Sequence, residues 1–397
     1  MRITFCHNLY QQRSGEDIAF DFAVQLLRDS GHHVSVFSAD NSAIKDLSSA
    51  DKVLFPIRTV YSRAARRQVR RFVVAEQSTL AIVQNVFPLL SPSVYHGLAD
   101  ARLPIIQFVF NYRLLCSNGL LFTQNEICER CVRGNHIHGI LRRCYRNSYA
   151  LSATYGAALS IHRWAGTWRK LVSIFVTPDE FLAGKLIEGG IDSHKIRVVS
   201  NPFDISGIKP SYEGGEYVLF VGRLIRAKGI FTLLEAFRSL NGPKLVIVGD
   251  GEEAGHIRSH PAVVDGKAEF VGPVYGAQFE ELVRNSACVV VPSEWYDNLP
   301  MIVCQAFGAG KPVIASRING IPEFVKHEKN GLLFTPGSAI ELRESIERLH
   351  NDPILHRTLS HGARSTAETV LSPALWQQNM NSVLQQALER RGGASYL

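Results

Sequence analysis

Two short stretches of this chain hold residue types that could do chemistry together. In YVLFVGRLIRAKG at 217–229, an apolar strand ends in Gly222, and two cations, Arg223 and Lys228, follow before a helix that the pattern starts near Ile230. A guanidinium offers paired hydrogen bonds and an ammonium a point charge, so such a pair beside a helix N-terminus suits a diphosphate. Two solvated loop cations are the plainer alternative. In PSEWYDNLPMIVCQAFGAG at 292–310, a strand and loop lead into a helix with Pro300 in its first turn, where proline is tolerated. Gln305 is the one polar residue between Leu299 and Ala306. A buried amide must be hydrogen-bonded, so Gln305 either finds nearby backbone or points at a ligand hydroxyl. Asp297, eight positions earlier, could reach the same ligand.

A second constellation is made of cysteines. Cys128 and Cys131 form a C-x2-C pair, with Cys116 twelve residues before and Cys144 thirteen after. Four thiols at this spacing could close around a structural Zn²⁺, and a redox pair or plain buried thiols are the alternatives. His136 and His138 are substitute ligands that read more simply as loop residues. Cys6, Cys288 and Cys304 sit in apolar runs and read as core.

Short apolar runs alternate with helix-length stretches along the chain. Ile3–Cys6, Val34–Phe37, Val53–Phe55, Leu80–Val83 and Pro104–Phe108 read as buried strands, with helices predicted over Ile18–Asp29 and Ser62–Ala75. The second half repeats the rhythm at Tyr217–Val221, Lys244–Val248, Glu269–Val271, Cys288–Val291 and Val313–Ala315. Such alternation predicts an α/β chain of two parallel-sheet domains, which bind ligands beyond the carboxyl ends of their strands. The Pro-, Gly- and Ser-rich run at 201–215 is the predicted linker. The expected domains are 1–204 and 211–370, followed by a terminal helical segment, 371–397, packing back on the N-terminal domain.

Length and composition agree with this. The 397 residues are 46% apolar and 20% charged, enough core material for two globular domains. Residues 1–204 carry 24 Lys and Arg against 16 Asp and Glu, so the whole excess of +7 lies in the first half. A one-sided basic domain suggests an acidic partner. Arg63, Arg66, Arg67, Arg70 and Arg71 follow helical spacing, and a second cluster interleaves Arg142, Arg143, Arg146, Arg163, Arg169 and Lys170 with Trp164 and Trp168. Basic faces with tryptophan read as attachment to an anionic membrane surface, the alternative being a solvated face. No run approaches the roughly 20 apolar residues of a membrane span, and MRITFCHNLY reads as a first strand with no signal-peptide layout. Seven cysteines, an odd and modest number, fit a reducing compartment. The expected location is cytoplasmic, at the inner face of the membrane. No G-x-G-x-x-G follows the first strand, GAGKP at 308–312 is no P-loop, and no nucleic-acid-binding module appears.

FVGRLIRAKG, IVGDG at 247–251 and SEWYDNLPMIVCQAFGAGKPVIAS together resemble the retaining glycosyltransferases of family four, of the GT-B fold. NYRLLCSNGLLFTQNEICERC at 111–131 and KIRVVSNPFD at 195–204 are also similar to that family. The resemblance implies two Rossmann-like domains facing a central cleft, the first for acceptor and the second for a nucleotide sugar. It implies a hexosyl-type transfer from a UDP- or GDP-linked sugar to a glycan or lipid-linked saccharide hydroxyl, as in surface polysaccharide synthesis. Arg223 and Lys228 then match the pair that holds the diphosphate, and Asp297 the first acid of an E-x7-E pattern touching the sugar. Gln305 matches the second acid, which binds ribose. Asn298, Leu299 and Pro300 fall where backbone meets phosphate and sugar, and Gly15 matches a glycine loop near the diphosphate. Gly222 and Asn201 belong to the donor-binding segments. The resemblance implies no cofactor for catalysis.

Three positions depart from that family. The pattern here is D-x7-Q, so one acid is shortened and the other neutralised. Phe110 stands where relatives have a histidine, and Val83-Gln84-Asn85 lacks another. These changes leave open a nucleotide-sugar-binding protein with little or no transferase activity.

Overall fold

The computed structural model describes residues 1–393, with side chains described through residue 390. Residues 394–397 of the predicted terminal segment lie outside the described residues. The chain forms two compact units. The first comprises Met1–Thr123, Cys128–Asn201 and the chain from Trp376 onward, and the second Gln124–Ile127 and Pro202–Leu375.

The main sheet of the first unit has six strands: β1 (Arg2–Leu9), β2 (His33–Asp40), β3 (Leu80–Val83), β4 (Ile105–Phe108), β5 (Ile174–Thr177) and β6 (Ile196–Val198). They form one parallel sheet in the order β2-β1-β3-β4-β5-β6. Every residue of β3, β4 and β5 is buried, which is why these runs are apolar but for Gln107 and Thr177. The helix Gly15–Asp29 is set by a capping box, with the Ser14 hydroxyl accepting from Asp17 N–H and the Asp17 carboxylate accepting from Ser14 N–H. Trp376, Met380, Val383 and Leu384 of the terminal helix, Pro373–Gly393, pack with Ile3, Phe5 and Ile106 in this unit's core.

One strand expectation is overturned. Val53-Leu54-Phe55 lies inside a helix, Ser49–Val60, with Val53 and Leu54 exposed. Local capping explains the difference: Ser48 accepts from Asp51 N–H, and Asp51 in turn takes a hydrogen bond from Arg58 one to two turns on. Three apolar residues cannot by themselves distinguish a strand from a helix segment. The strands β5 and β6, and Gly331–Phe334 of the second unit, are not among the predicted ones.

The second unit holds β7 (Tyr217–Val221), β8 (Lys244–Val248), β9 (Ala268–Gly272), β10 (Cys288–Val291), β11 (Val313–Ser316) and β12 (Gly331–Phe334). Their order is β9-β8-β7-β10-β11-β12, again parallel throughout. The order reverses between β7 and β10. Loops leaving the carboxyl ends of those two strands diverge there and leave a crevice, the usual ligand position in such sheets.

Candidate functional site

The reversal point of the second sheet is where the two sequence motifs meet. Beyond β7 the backbone turns at Gly222, whose N–H donates to Val248 O at 3.1 Å. A Cβ on the neighbouring Gly249 would lie 1.9 Å from Gly222 O, so glycine is required for this close approach. Arg226–Lys228 form one 3-10 turn, and Gly229, at φ +69°, starts the helix Ile230–Arg238. The turn is tied to the loop beyond β10, where Glu294 N–H donates to Ala227 O at 2.8 Å. The Thr232 hydroxyl also donates to the Glu294 carboxylate.

This strap brings Lys228 to Asp297. The ammonium donates to Asp297 Oδ2, which also accepts from Ser293 Oγ at 3.1 Å. Lys228 further lies 5.8 Å from the centroid of the Trp295 ring, a cation–π contact. The Asn319 side chain donates to the Asp297 carbonyl, fixing that backbone from the far side of the loop. Arg223 differs: it is exposed and makes no ion pair or side-chain hydrogen bond among the described residues. The residues Asn298, Leu299 and Pro300 follow directly, and Pro300 precedes the helix Met301–Gly308 as its cap residue, one position before the expected first turn. Leu299 packs against the core of this unit.

Gln305 lies half-buried on that helix and lines a cavity of about 930 Å³ within the second unit. The cavity opens beyond β7 and β9, between Val221, Val274 and Tyr275 on one side and Gln305 on the other. The Gln305 side-chain amide has no protein hydrogen bond among the described residues, so the neighbouring backbone does not satisfy it. Arg223, Lys228 and Asp297 do not line this cavity and sit beside it on the chain.

In the first unit, Gly15 opens the helix Gly15–Asp29, and a Cβ there would meet nothing within 4 Å. Asn201 follows β6 at the end of the unit. Behind Gly15 is a buried pair that spacing did not reveal. His7 Nε2–H donates to Asp17 at 2.9 Å, and Phe20 stacks on the imidazole. Burial pushes the His7 pKa down, so the ring is neutral. Burial raises Asp17, but hydrogen bonds from His7 and Ser14 outweigh it and hold the carboxyl below its usual range.

Glu16 joins this loop to the segment beyond β4. It accepts from Tyr10 OH at 2.9 Å and from Asn111 Nδ2 at 2.7 Å, and Gln84 Nε2 donates to its carbonyl. Arg113 reaches Tyr10 OH at 3.4 Å. Phe110, in the position of the family's histidine, packs edge-on against Phe108 and supplies no titratable group. Asn85 is occupied with backbone, donating to Asn8 O and accepting from Phe87 N–H. The sequence quoted Gly15 and the Asn111-Tyr112-Arg113 run separately, but contacts over 95 positions leave no local spacing signal.

The four cysteines proposed as zinc ligands are found as follows. Among the described residues no group of three or more His, Cys, Asp or Glu is placed to hold a metal ion. Cys116, Cys128, Cys131 and Cys144 are free thiols. Cys116 Sγ is turned to Asn118 Oδ1 at 3.0 Å and Cys144 Sγ to Thr123 Oγ1 at 3.6 Å. Burial, and after it the neighbouring thiols of Cys116, Cys144 and Cys128, push the Cys131 thiol up to about 12. Of the two tryptophans in the second basic cluster Trp168 is buried and Trp164 is 89% exposed, and Arg163 is turned to Val132 O.

Residues 203–366, within the second unit, match the family model described as Glycosyl transferases group 1. The uncharacterized glycosyltransferase MJ1607 of Methanocaldococcus jannaschii is 29% identical over 191 residues, 46% of this chain and 48% of that protein. The lipopolysaccharide core biosynthesis glycosyltransferase LpsD of Rhizobium meliloti is 31% identical over 157 residues, 39% of this chain and 45% of that protein. The matches thus span about half the length of these relatives. Among solved structures, HepE of Anabaena in complex with UDP superposes with a TM-score of 0.69 at 16% identity, covering 97% of this chain and 100% of that one. The fold is GT-B. No described helix is long and apolar enough to cross a membrane.

Proposed function

We propose that this protein is a retaining glycosyltransferase that moves a hexose from a UDP- or GDP-linked donor to a hydroxyl of a glycan or lipid-linked saccharide. The observation that carries the reading is the meeting of Lys228 and Asp297 at the reversal point of the second sheet, with exposed Arg223 leaving the same strand as Lys228 and Gln305 lining the cavity of this unit. HepE, of the same fold, holds UDP, and LpsD is named for lipopolysaccharide core biosynthesis. Both facts support the donor and acceptor classes assigned here.

In this reading the donor diphosphate lies against Arg223 and the Lys228–Asp297 pair, with Asp297 toward the sugar and Gln305 toward the ribose. As the bond from sugar to phosphate breaks, negative charge grows on the leaving phosphate. Lys228, held by Asp297, and Arg223, which turns toward the phosphate on binding, offset that charge, and the N-terminus of helix Met301–Gly308 adds its dipole. The departing phosphate oxygen takes the proton of the attacking hydroxyl, which arrives on the same face. The anomeric configuration is thereby kept. Contact with an anionic membrane belongs to the same reading, because a lipid-linked acceptor resides there.

Gln305 and Phe110 favour a second reading, a nucleotide-sugar-binding protein with little turnover. Calorimetry with UDP and GDP, together with NMR of donor hydrolysis, separates the two. Binding with release of the α-anomer from an α-linked donor supports transfer with retention, tight binding without turnover supports the second reading, and absence of binding removes both.

A further inference from the structure

The helix Arg63–Ala75 carries a charge arrangement that its own unit does not neutralise. Successive helical residues are about 100° apart, so Arg63, Arg67, Arg70, Arg71 and Val74 share a face about 100° wide. All five are exposed, while Ala65, Val69 and Val73 on the opposite face are buried. Arg66, at the edge, is paired with Asp100 through two hydrogen bonds of 2.7 and 2.8 Å. None of Arg63, Arg67, Arg70 and Arg71 forms an ion pair among the described residues. The helix has no acidic residue in its first turn, where the positive end of its dipole disfavours cations. Arginines four apart on one face repel as well. An arrangement unfavourable to the isolated helix is relieved when an anionic surface lies against it.

The neighbouring helix identifies the kind of surface. Ser49–Val60 ends two residues before Arg63, and it leaves Val53 and Ile57, one turn apart, 76% and 66% exposed, with Leu54 beside them. Val74, within the arginine face, is 63% exposed. Nucleic acid gains nothing from such side chains, whereas a bilayer takes cations at its headgroups and apolar side chains just below them. In the second basic cluster Arg143 and Arg146 lie over Tyr149 and Tyr145 at 5.5 and 5.8 Å, and Trp164 is 89% exposed.

We propose that helices Ser49–Val60 and Arg63–Ala75 form a docking face for an anionic lipid bilayer, the arginines on headgroup phosphates and Val53, Ile57 and Val74 inserted between them. The proposal rests on the reading of a lipid-linked acceptor for its purpose, and on the exposed residues themselves for its physics.

Flotation of the full-length chain with phosphatidylcholine vesicles, with and without phosphatidylglycerol, tests it. Binding is expected with phosphatidylglycerol alone and should weaken with added salt. Arg67→Gln with Arg71→Gln should lower the partition constant roughly 25-fold, about fivefold per charge removed. Val53→Ser with Ile57→Ser should lower it while leaving the salt dependence unchanged. A UDP thermal shift equal to wild type certifies that both variants are folded. No flotation on phosphatidylglycerol vesicles overturns the proposal. So does displacement from vesicles by duplex RNA with the Val53/Ile57 variant binding like wild type, which would identify a nucleic-acid face. Failure of the wild type to bind UDP or GDP would instead remove the transferase reading and leave the docking face standing.

Discussion

Lys228 and Asp297, 69 positions apart and leaving different strands of one sheet, form an ion pair that Ser293 completes and Asn319 braces through the Asp297 backbone. Arg223, beyond the same strand as Lys228, has no acidic partner. The two cations expected to act alike are therefore electrostatically different. Asp297 compensates one, and the other presents its full charge to whatever anion arrives. Asp297 orients the ammonium in this arrangement and, in the function proposed above, also faces the sugar.

Lys228→Ala and Arg223→Ala should separate on that basis. Removing Lys228 leaves a largely buried carboxylate without its cation, so folding stability should fall by about 3 kcal/mol, as for broken buried pairs. Removing exposed Arg223 should change stability by less than about 0.5 kcal/mol. Both should weaken diphosphate binding or turnover by about 2–5 kcal/mol. Urea melts and UDP calorimetry on the two variants read both quantities. Equal stability losses would mean that the pair contributes no more than a surface contact.

Gln305→Glu tests the altered acid pattern. Hydrogen bonds from a hydroxyl to a carboxylate exceed those to a neutral amide by about 1 kcal/mol. If the Gln305 side chain meets the ribose in the cavity it lines, UDP should bind about fivefold more tightly to the variant. Unchanged or weaker binding would place the nucleoside elsewhere.

How much of this was legible beforehand follows from the range of each interaction. Strands β7, β8 and β10 could be read because two-sided burial demands an unbroken apolar run, and their lengths match. The Lys228–Asp297 meeting could be anticipated only as two loops after strands, since which strands are neighbours is a property of sheet order. Ser293 and Asn319 carry no signal at all: a serine before a loop and an asparagine before a glycine are ordinary turn residues. The His7–Asp17 pair hid in the same way, with its histidine inside a strand and its acid serving visibly as a helix cap. Val53–Phe55 misled because three apolar residues fit either period, and the decisive cap at Ser48 lay outside them.

Gly229→Ala examines the strap that joins the two motifs. A methyl group there would lie 1.8 Å from Pro292 O, and the residue sits at φ +69°. The positive φ costs an alanine about 1–2 kcal/mol and the overlap about 1–3 kcal/mol. The variant should lose about 3 kcal/mol of stability, and since the shift of Pro292 carries Ser293 with it, UDP binding should weaken also. A variant with the wild-type melting temperature would show that the loop beyond β10 gives way freely.

Lys311 provides a test by pH. Its side chain is 1% exposed, donates to Ser211 Oγ at 3.2 Å and Glu213 O at 2.9 Å, and has its pKa brought down to about 8 by burial. In the unfolded chain it returns to about 10.5. Between those values the unfolded state holds a proton that the folded state has released, so stability rises with pH across this window. Below about 8 the ammonium is charged in both states and the full cost of burying it applies. The rise amounts to about 3 kcal/mol over the window. Urea melts of the wild type and of Lys311→Met, taken from neutral pH to about pH 10, give a difference curve in which lysines and tyrosines common to both cancel. That difference should climb in favour of the wild type as pH increases. A flat difference would mean that Lys311 is solvated in the folded protein and titrates like a surface lysine.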